Sequence, residues 1–320
     1  HALKSLLDEG KSLNRRLRFI FGTDEESGWG CIHKYKENGE EIPSMGFTPD
    51  SQFPLIYAEK GLWQFRLTGE PGGEINFSGG VAMNVVPGEA KVATPPVTLK
   101  PELQKLGIES ELQDDILVIK GKNAHAASAH KGVNAIAYLL KAYHDLGIKS
   151  QGACFVAERV FDGVHGEKLF KTYEDEASGK MTLNLAMADL NQEREVLSFD
   201  VRYPVSLKLV ELETEIAGIA KEYGFSYERY DEIGPIHVDR DTELVQKLMK
   251  SYQEVTGDLK AKPMVSGGAT YARAMDNCVA FGMVLPESEK TEHQPNERIK
   301  KEDLEKAFEI YKKALEALVF

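Results

Sequence analysis

Residues 21–30, FGTDEESGWG, put three consecutive carboxylates at a turn that follows an apolar run. Adjacent like charges repel, and the end of a buried strand offers little water to screen them. A bound cation would relieve the repulsion; so would a solvated turn that leads acidic residues into the start of a helix. Asp24, Glu25 and Glu26 therefore read either as cation ligands or as ordinary loop residues. Two further segments are ambiguous in the same way. Asp50 closes GFTPD (residues 46–50), where Pro-Asp alone signals a turn. His293 lies in EHQPNE (residues 292–297), a polar loop after an apolar strand, where a surface histidine is the ordinary reading. Taken together they say more. One or two carboxylates, another aspartate and a histidine, all at strand ends, form an oxygen and nitrogen donor set suited to Zn²⁺, Mn²⁺ or Co²⁺. A spare glutamate beside such a set is the usual general base of metal-assisted hydrolysis.

A second group of residues lies in the middle of the chain: Asn84 in MNVVP, His125 in GKNAHAASAH (residues 121–130) and Arg202 in FDVRYP. An imidazole, an amide and a guanidinium fork suit a substrate carbonyl and a carboxylate. Individually, Arg202 reads as half of an ion pair and His125 as a residue at a helix start. Near the end, VSGGATYAR (residues 265–273) is a glycine loop entering a helix. It lacks the lysine of a P-loop and the G-x-G-x-x-G spacing, which argues against a nucleotide. The backbone N–H groups around Gly267 and Gly268 could still bind a carboxylate.

The elements that must position these residues read as α/β. Residues 1–10 look like the last turns of a helix closed by Gly10, residues 15–21 like a strand buried on both faces, and 28–38 like a helix stopped by Gly39. Residues 53–57 read as another short buried strand. From Gly61 the texture changes to strands (62–68, 116–120, 195–203) separated by Gly- and Pro-rich turns and two helices (134–146, 208–223). A faint echo links LGIESE (106–111) with YGFSYE (223–228), each a helix–glycine–strand junction, which suggests two related α+β halves. From Asp241 the α/β texture resumes, with an amphipathic segment at 242–256, a buried strand at 279–285 and a long terminal helix at 301–318. The expected organisation is a domain built from residues 1–60 and 237–320, with residues 61–236 inserted as a second domain.

The totals exclude some partners. The 320 residues are 42% hydrophobic and 28% charged, with a formal net charge of −12. An acidic chain without a Lys/Arg-rich run is a poor match for nucleic acid or an anionic membrane. No apolar run approaches the ~18 residues needed to span a bilayer. Cys31, Cys154 and Cys278 are odd in number and far apart, which fits free thiols in a reducing, cytoplasmic setting.

GTDEES, GFTPD, the GKxAHA-type segment followed by Gly-x-Asn-Ala, FDVRYP, SGGATYAR and EHQPNE occur in this order along essentially the whole chain. That order resembles the di-zinc metallopeptidase family of aminoacylases and dipeptidases, closest to its carnosinase-like dipeptidases. The resemblance implies a zinc-exopeptidase-like sheet with flanking helices and an inserted α+β lid made of two related ferredoxin-like halves. It implies Glu25 as general base, Glu26 and His293 on one metal and Asp50 on the other. His125 would polarise the scissile carbonyl, while Asn84, Arg202, Gly267 and Gly268 would hold the substrate's C-terminal carboxylate. Two Zn²⁺ ions (or Mn²⁺ or Co²⁺) and a dipeptide with a free amine are the implied cofactor and substrate. The doubled lid stands in for a dimer partner, which implies a working monomer.

Departures accompany the match. Family members carry a proline a few residues after the lid histidine, where this chain has Ser128-Ala-His130. They also begin with a His-x-Asp strand and later place a bridging aspartate in an Asp-Asp-Lys-Gly-Pro setting. Neither pattern occurs here, and the match begins at Ala2. The resemblance thus implies a chain that is N-terminally incomplete and, lacking these ligands, inactive by itself. The rival readings are an acyl-amino-acid deacylase or carboxypeptidase of the same family, and a non-catalytic binding or assembly module.

Overall fold

The computed structural model describes residues 1–70, 72–292 and 295–320. They form two compact units, one from residues 1–59 with 236–320 and the other from residues 60–235.

The first unit is a mixed sheet with helices packed beside it. Its strands run in the order Gly46–Thr48, Cys278–Ala280, Ile56–Glu59 and Ile236–His237, and Met264–Ser266 pairs with Ile56–Glu59 in parallel. All four residues of Ile56–Glu59 are buried, as expected for a strand covered on both faces. The helix Glu243–Thr256 packs on the terminal helix Lys301–Val319, which also receives the short helix Ala2–Asp8. Thr242 caps the first of these by accepting from the Val245 N–H, and Gly257 closes it at φ 74°. Phe53, Phe281 and Tyr311 form an aromatic cluster whose centroids lie 5.0–6.0 Å apart. Gly282 is required here. Its φ is 92°, and a Cβ would come within 2.5 Å of the Phe53 ring.

Three segments of this unit differ from the elements expected of their sequence. Residues 15–21 form no strand: Phe19 and Phe21 are 58% and 87% exposed. Among the described residues this segment joins no strand ladder. Its arginines reach acidic partners instead, Arg15 to Glu243 at 2.9 Å and Arg16 and Arg18 to Glu41. The strand expected at 53–57 is displaced to Ile56–Glu59, because Pro54 has no N–H to donate to a ladder. The strand expected at 279–285 is limited to Cys278–Ala280, after which the chain turns through Gly282.

The second unit holds the largest core. Its main antiparallel sheet runs Phe225–Ile233, Gly61–Gly69, Glu195–Tyr203, Thr182–Leu190, Phe77–Gly79. Trp63, Phe65, Leu67, Leu197, Phe199 and Val201 bury their side chains completely between this sheet and its helices. A smaller sheet orders Glu89–Ala93, Ile116–Lys120 and Glu109–Gln113. Asn134 caps the helix Ala135–Asp145 by accepting from the Ala137 N–H at 3.0 Å. The helix–glycine–strand junction noted in the sequence occurs twice. Leu99–Lys105 leads through Gly107 into Glu109–Gln113, and Leu209–Glu222 leads through Gly224 into Phe225–Ile233. Both glycines have φ 79°, the left-handed conformation that ends a helix, and both strands lie at sheet edges. No helix among the described residues is long and apolar enough to cross a membrane.

One ion pair of this unit gives a pH prediction. Arg229 grips Glu213 with two bonds of 2.7 Å, and the Tyr227 hydroxyl donates to the same carboxylate at 2.5 Å. The guanidinium holds the Glu213 carboxyl below its ordinary range. A carboxylate with a lowered folded pKa contributes stability above its unfolded pKa, roughly 4.3, and loses it as pH falls through the folded value. Glu213→Gln should therefore cost about 1 kcal/mol at neutral pH. The gap to wild type should close in acid, as measured by urea unfolding at two pH values.

Candidate functional site

A cleft of about 710 Å³ opens in the first unit. Glu25, Glu26 and Asp50 line it, together with Ser266, Gly268 and Thr270 of the glycine loop. Among the described residues, Glu289, Glu292, Glu297 and Asp303 bring the lining carboxylates to seven, against Arg298 and Lys300 as the lining cations. Arg298 binds Glu289 through 2.7 and 2.8 Å bonds. The cleft is therefore acidic overall and favours a metal cation or an ammonium group.

The crowded turn divides its three carboxylates between two tasks. Asp24 holds the backbone: it accepts from the Ser27 hydroxyl, from the Gly28 N–H at 3.3 Å and from the Gly30 N–H at 2.8 Å. The Ser27 bond, followed by the two backbone bonds, keeps the Asp24 carboxyl below its usual pKa. The chain then enters the helix Gly30–Glu37 through Trp29 at φ 55°. Glu25 and Glu26 are carried onto the cleft wall by this turn.

Tyr271, next in sequence to the glycine loop, braces the turn. Its hydroxyl lies 3.0 Å from Cys31 Sγ and receives the Asp24 N–H at 3.4 Å, while its ring meets Trp29 edge-on at 5.5 Å. Burial pushes the Tyr271 pKa to about 12, and the tyrosine hydroxyl bond lowers that of the Cys31 thiol. Gly22 makes room for the ring, since a Cβ there would lie 2.4 Å from the hydroxyl oxygen.

The glycine loop is fixed from beneath by a buried ion pair. Glu59 ends the central strand and is fully buried. Its carboxylate accepts from the Thr270 hydroxyl at 2.7 Å, the Thr270 N–H at 3.1 Å and Arg273 Nε at 2.8 Å. Arg273 in turn donates to the Gly268 carbonyl at 2.6 Å, and Gly268 N–H donates to Ser266 Oγ at 2.9 Å. Burial raises the Glu59 pKa, and Arg273 is the main opposing influence. Sequence reasoning passed over Glu59, although a lone glutamate in an apolar strand requires a buried partner, and SGGATYAR contains an arginine.

Asp50 accepts from the Ser51 N–H at 2.6 Å through Oδ1, a local turn bond, and lines the cleft. His293 lies outside the described residues. Glu26 and Asp50 supply oxygen donors of the type a divalent cation takes, on one cleft, so the donor chemistry fits. Among the described residues they do not belong to a group of three donors within 4.8 Å of one another.

The remaining predicted residues belong to the second unit. Asn84 accepts from the Ala126 N–H through its backbone carbonyl at 2.8 Å, and His125 pairs with Val85 in a two-residue ladder, so Asn84 and His125 are neighbours. His125 Nδ1 accepts from the Ala127 N–H at 3.1 Å. In the neutral ring this places the proton on Nε2, making that nitrogen a donor. Arg202 is buried and bound to Asp200 through Nε at 2.8 Å and Nη2 at 3.1 Å, with Gln64 also donating to Asp200 at 2.7 Å. The ion-pair reading of Arg202 is thus the one the geometry displays.

Comparison with known proteins covers almost the whole chain. Residues 1–317 match the family model described as "Peptidase family M20/M25/M40". A "Putative dipeptidase" of Staphylococcus aureus (strain MW2) is 33% identical over 343 aligned positions, which take in 99% of this chain and 73% of that protein. Its counterpart in strain bovine RF122 / ET3-1 is 32% identical over the same coverage. Among solved structures, a tripeptidase from Staphylococcus aureus subsp. aureus mu50 superposes with a TM-score of 0.51 at 13% identity. That superposition covers 98% of this chain and 66% of the tripeptidase, and supports a shared mixed α/β fold.

Proposed function

Since this chain belongs to peptidase family M20/M25/M40, we propose that it carries the site of a metal-dependent dipeptidase that hydrolyses dipeptides with a free N-terminal amine. The observation that carries the reading is the acidic cleft, where Glu25, Glu26 and Asp50 share walls with the glycine loop. Residues 1–60 and 237–320 form the catalytic domain in this reading. Residues 61–236 clamp the substrate, and their repeated helix–glycine–strand junction supports two related halves that let the protein work as a monomer. Free thiols fit a cytoplasmic setting.

Glu26, Asp50 and His293 would hold divalent cations, Zn²⁺ by their donor types. Such a cation, when bound, supplies Lewis-acid polarisation of water and carbonyl. Glu25 accepts the proton of the attacking water and passes it to the leaving amine. His125, with its proton on Nε2, donates to the developing oxyanion. Asn84, Arg202 and the Gly267–Gly268 backbone hold the substrate's carboxylate, with Asp200 fixing the plane of the guanidinium.

The acidic cleft favours a dipeptide ammonium over an uncharged acyl group, which separates this reading from a deacylase. Intact protein loaded with Zn²⁺ or Mn²⁺ should prefer free dipeptides to their N-acetyl forms by ~10-fold or more in kcat/KM, equivalent to about 1.4 kcal/mol. Equal or faster cleavage of the acetylated compounds would replace the dipeptidase reading with the deacylase one.

A further inference from the structure

We propose a second cation site, in the unit of residues 60–235, formed by His144, Cys154 and Glu158 and taking a thiophilic divalent cation such as Zn²⁺, Co²⁺ or Cd²⁺. It is independent of the acidic cleft and of the function proposed for it. His144 is in the last turn of the helix Ala135–Asp145, and residues 146–149 return the chain into the helix Gln151–Phe155 and the wider turn Val156–Val160. Ser150 caps the returning helix by accepting from the Ala153 N–H at 3.0 Å. Cys154 and Glu158, four residues apart, share a face of this segment. One donor atom from each of the three side chains lies within 4.8 Å of the other two.

The spacing suits a metal. Ligands at roughly 2.0–2.3 Å from a tetrahedral centre stand roughly 3.3–3.8 Å apart, and Cys154 Sγ lies 3.6 Å from Glu158 Oε1. The surroundings orient both outer ligands. Tyr223 donates to Glu158 Oε2 at 2.6 Å, which turns Oε1 toward the sulfur. Asp145 Oδ1 lies 3.2 Å from His144 Nδ1, an arrangement that leaves Nε2 as the coordinating nitrogen. The nearby cations have other partners: Lys141 pairs with Asp145, and Arg159 donates to Tyr223 at 2.9 Å and lies 3.9 Å from Glu222. His144 and Cys154 are half-buried and Glu158 is exposed, so an ion can enter from solvent. Binding would release the thiol proton to solvent, and one thiolate with one carboxylate would balance a charge of +2. Three protein donors leave a fourth position for water, and the ion would tie two consecutive helical segments together.

Cobalt is the direct probe, because a thiolate ligand produces a sulfur-to-cobalt charge-transfer band in the near ultraviolet. The protein titrated with Co²⁺ should show this band. Cys31→Ser should keep it, which rules out the thiol near the acidic cleft, and Cys154→Ser should lose it. Asp145→Asn should keep the band but weaken cobalt binding by ~10–100-fold, as expected for loss of an imidazole partner. Cobalt should also slow maleimide labelling of Cys154 in the unsubstituted protein, located by mass spectrometry, a test that needs no variant. A missing band in the folded protein, a band that survives Cys154→Ser, or labelling of Cys154 at an unchanged rate would each overturn the proposal.

Discussion

Glu25→Gln in the intact enzyme is expected to lower kcat by ~10²–10⁴-fold, the range a positioned general base supplies. The amide keeps the shape of the side chain and its place on the cleft wall but cannot accept a proton at neutral pH. KM should change little, since Glu25 is not assigned to holding the substrate. The cation content should also stay near wild type, because Glu26 and Asp50 are untouched. Steady-state kinetics and metal analysis on the same preparation check both. Retained turnover would remove Glu25 from the role of base. Lost turnover together with lost metal would make it a ligand instead.

Glu59→Ala should have the largest effect on stability. Arg273 is nearly as buried as Glu59 (2% and 1% side-chain exposure), so the substitution removes the carboxylate bound to a buried guanidinium charge. Breaking a buried pair in this way costs about 3–5 kcal/mol. The Thr270 hydroxyl and N–H lose their acceptor at the same time, which adds to the loss without summing simply. Trp29 lies in the first unit and Trp63 in the second, so urea unfolding followed by fluorescence in a Trp63→Phe background isolates the relevant transition. A loss below ~1 kcal/mol, the worth of an exposed pair, would show that Glu59 and Arg273 are not coupled as described.

The sequence was most informative where pattern and burial agree locally. The strands Ile116–Lys120 and Glu195–Tyr203 have the predicted ends, and the helices near 134, 208, 242 and 301 begin within a residue of expectation. The run at 15–21 misled because apolar content alone does not make a strand: it needs neighbours to share hydrogen bonds, and its arginines found acids instead. At the candidate site, FGTDEES and GFTPD pointed to residues that line one cleft. The division of labour inside the first motif was hidden. Only the turn geometry shows Asp24 bound to the backbone while Glu25 and Glu26 line the cleft. Glu59 and Arg273, separated by 214 positions, could be paired only by the fold.

The discontinuity of the first unit also orders events during synthesis. Residues 60–235 contain every strand of their own two main sheets, so that unit can be completed as soon as Ile233 has left the ribosome. Residues 1–59 cannot close theirs. The partners of Ile56–Glu59 come from residues 236–280, and the terminal helix that packs on Glu243–Thr256 ends at Val319. The acidic turn and the buried glutamate beneath the glycine loop are therefore made early and assembled last. Throughout that interval the apolar edge of Ile56–Glu59 is exposed to nascent-chain aggregation and to chaperones. Mutations there should lower the yield of folded protein more than those in the inserted unit, even at equal cost to the finished fold.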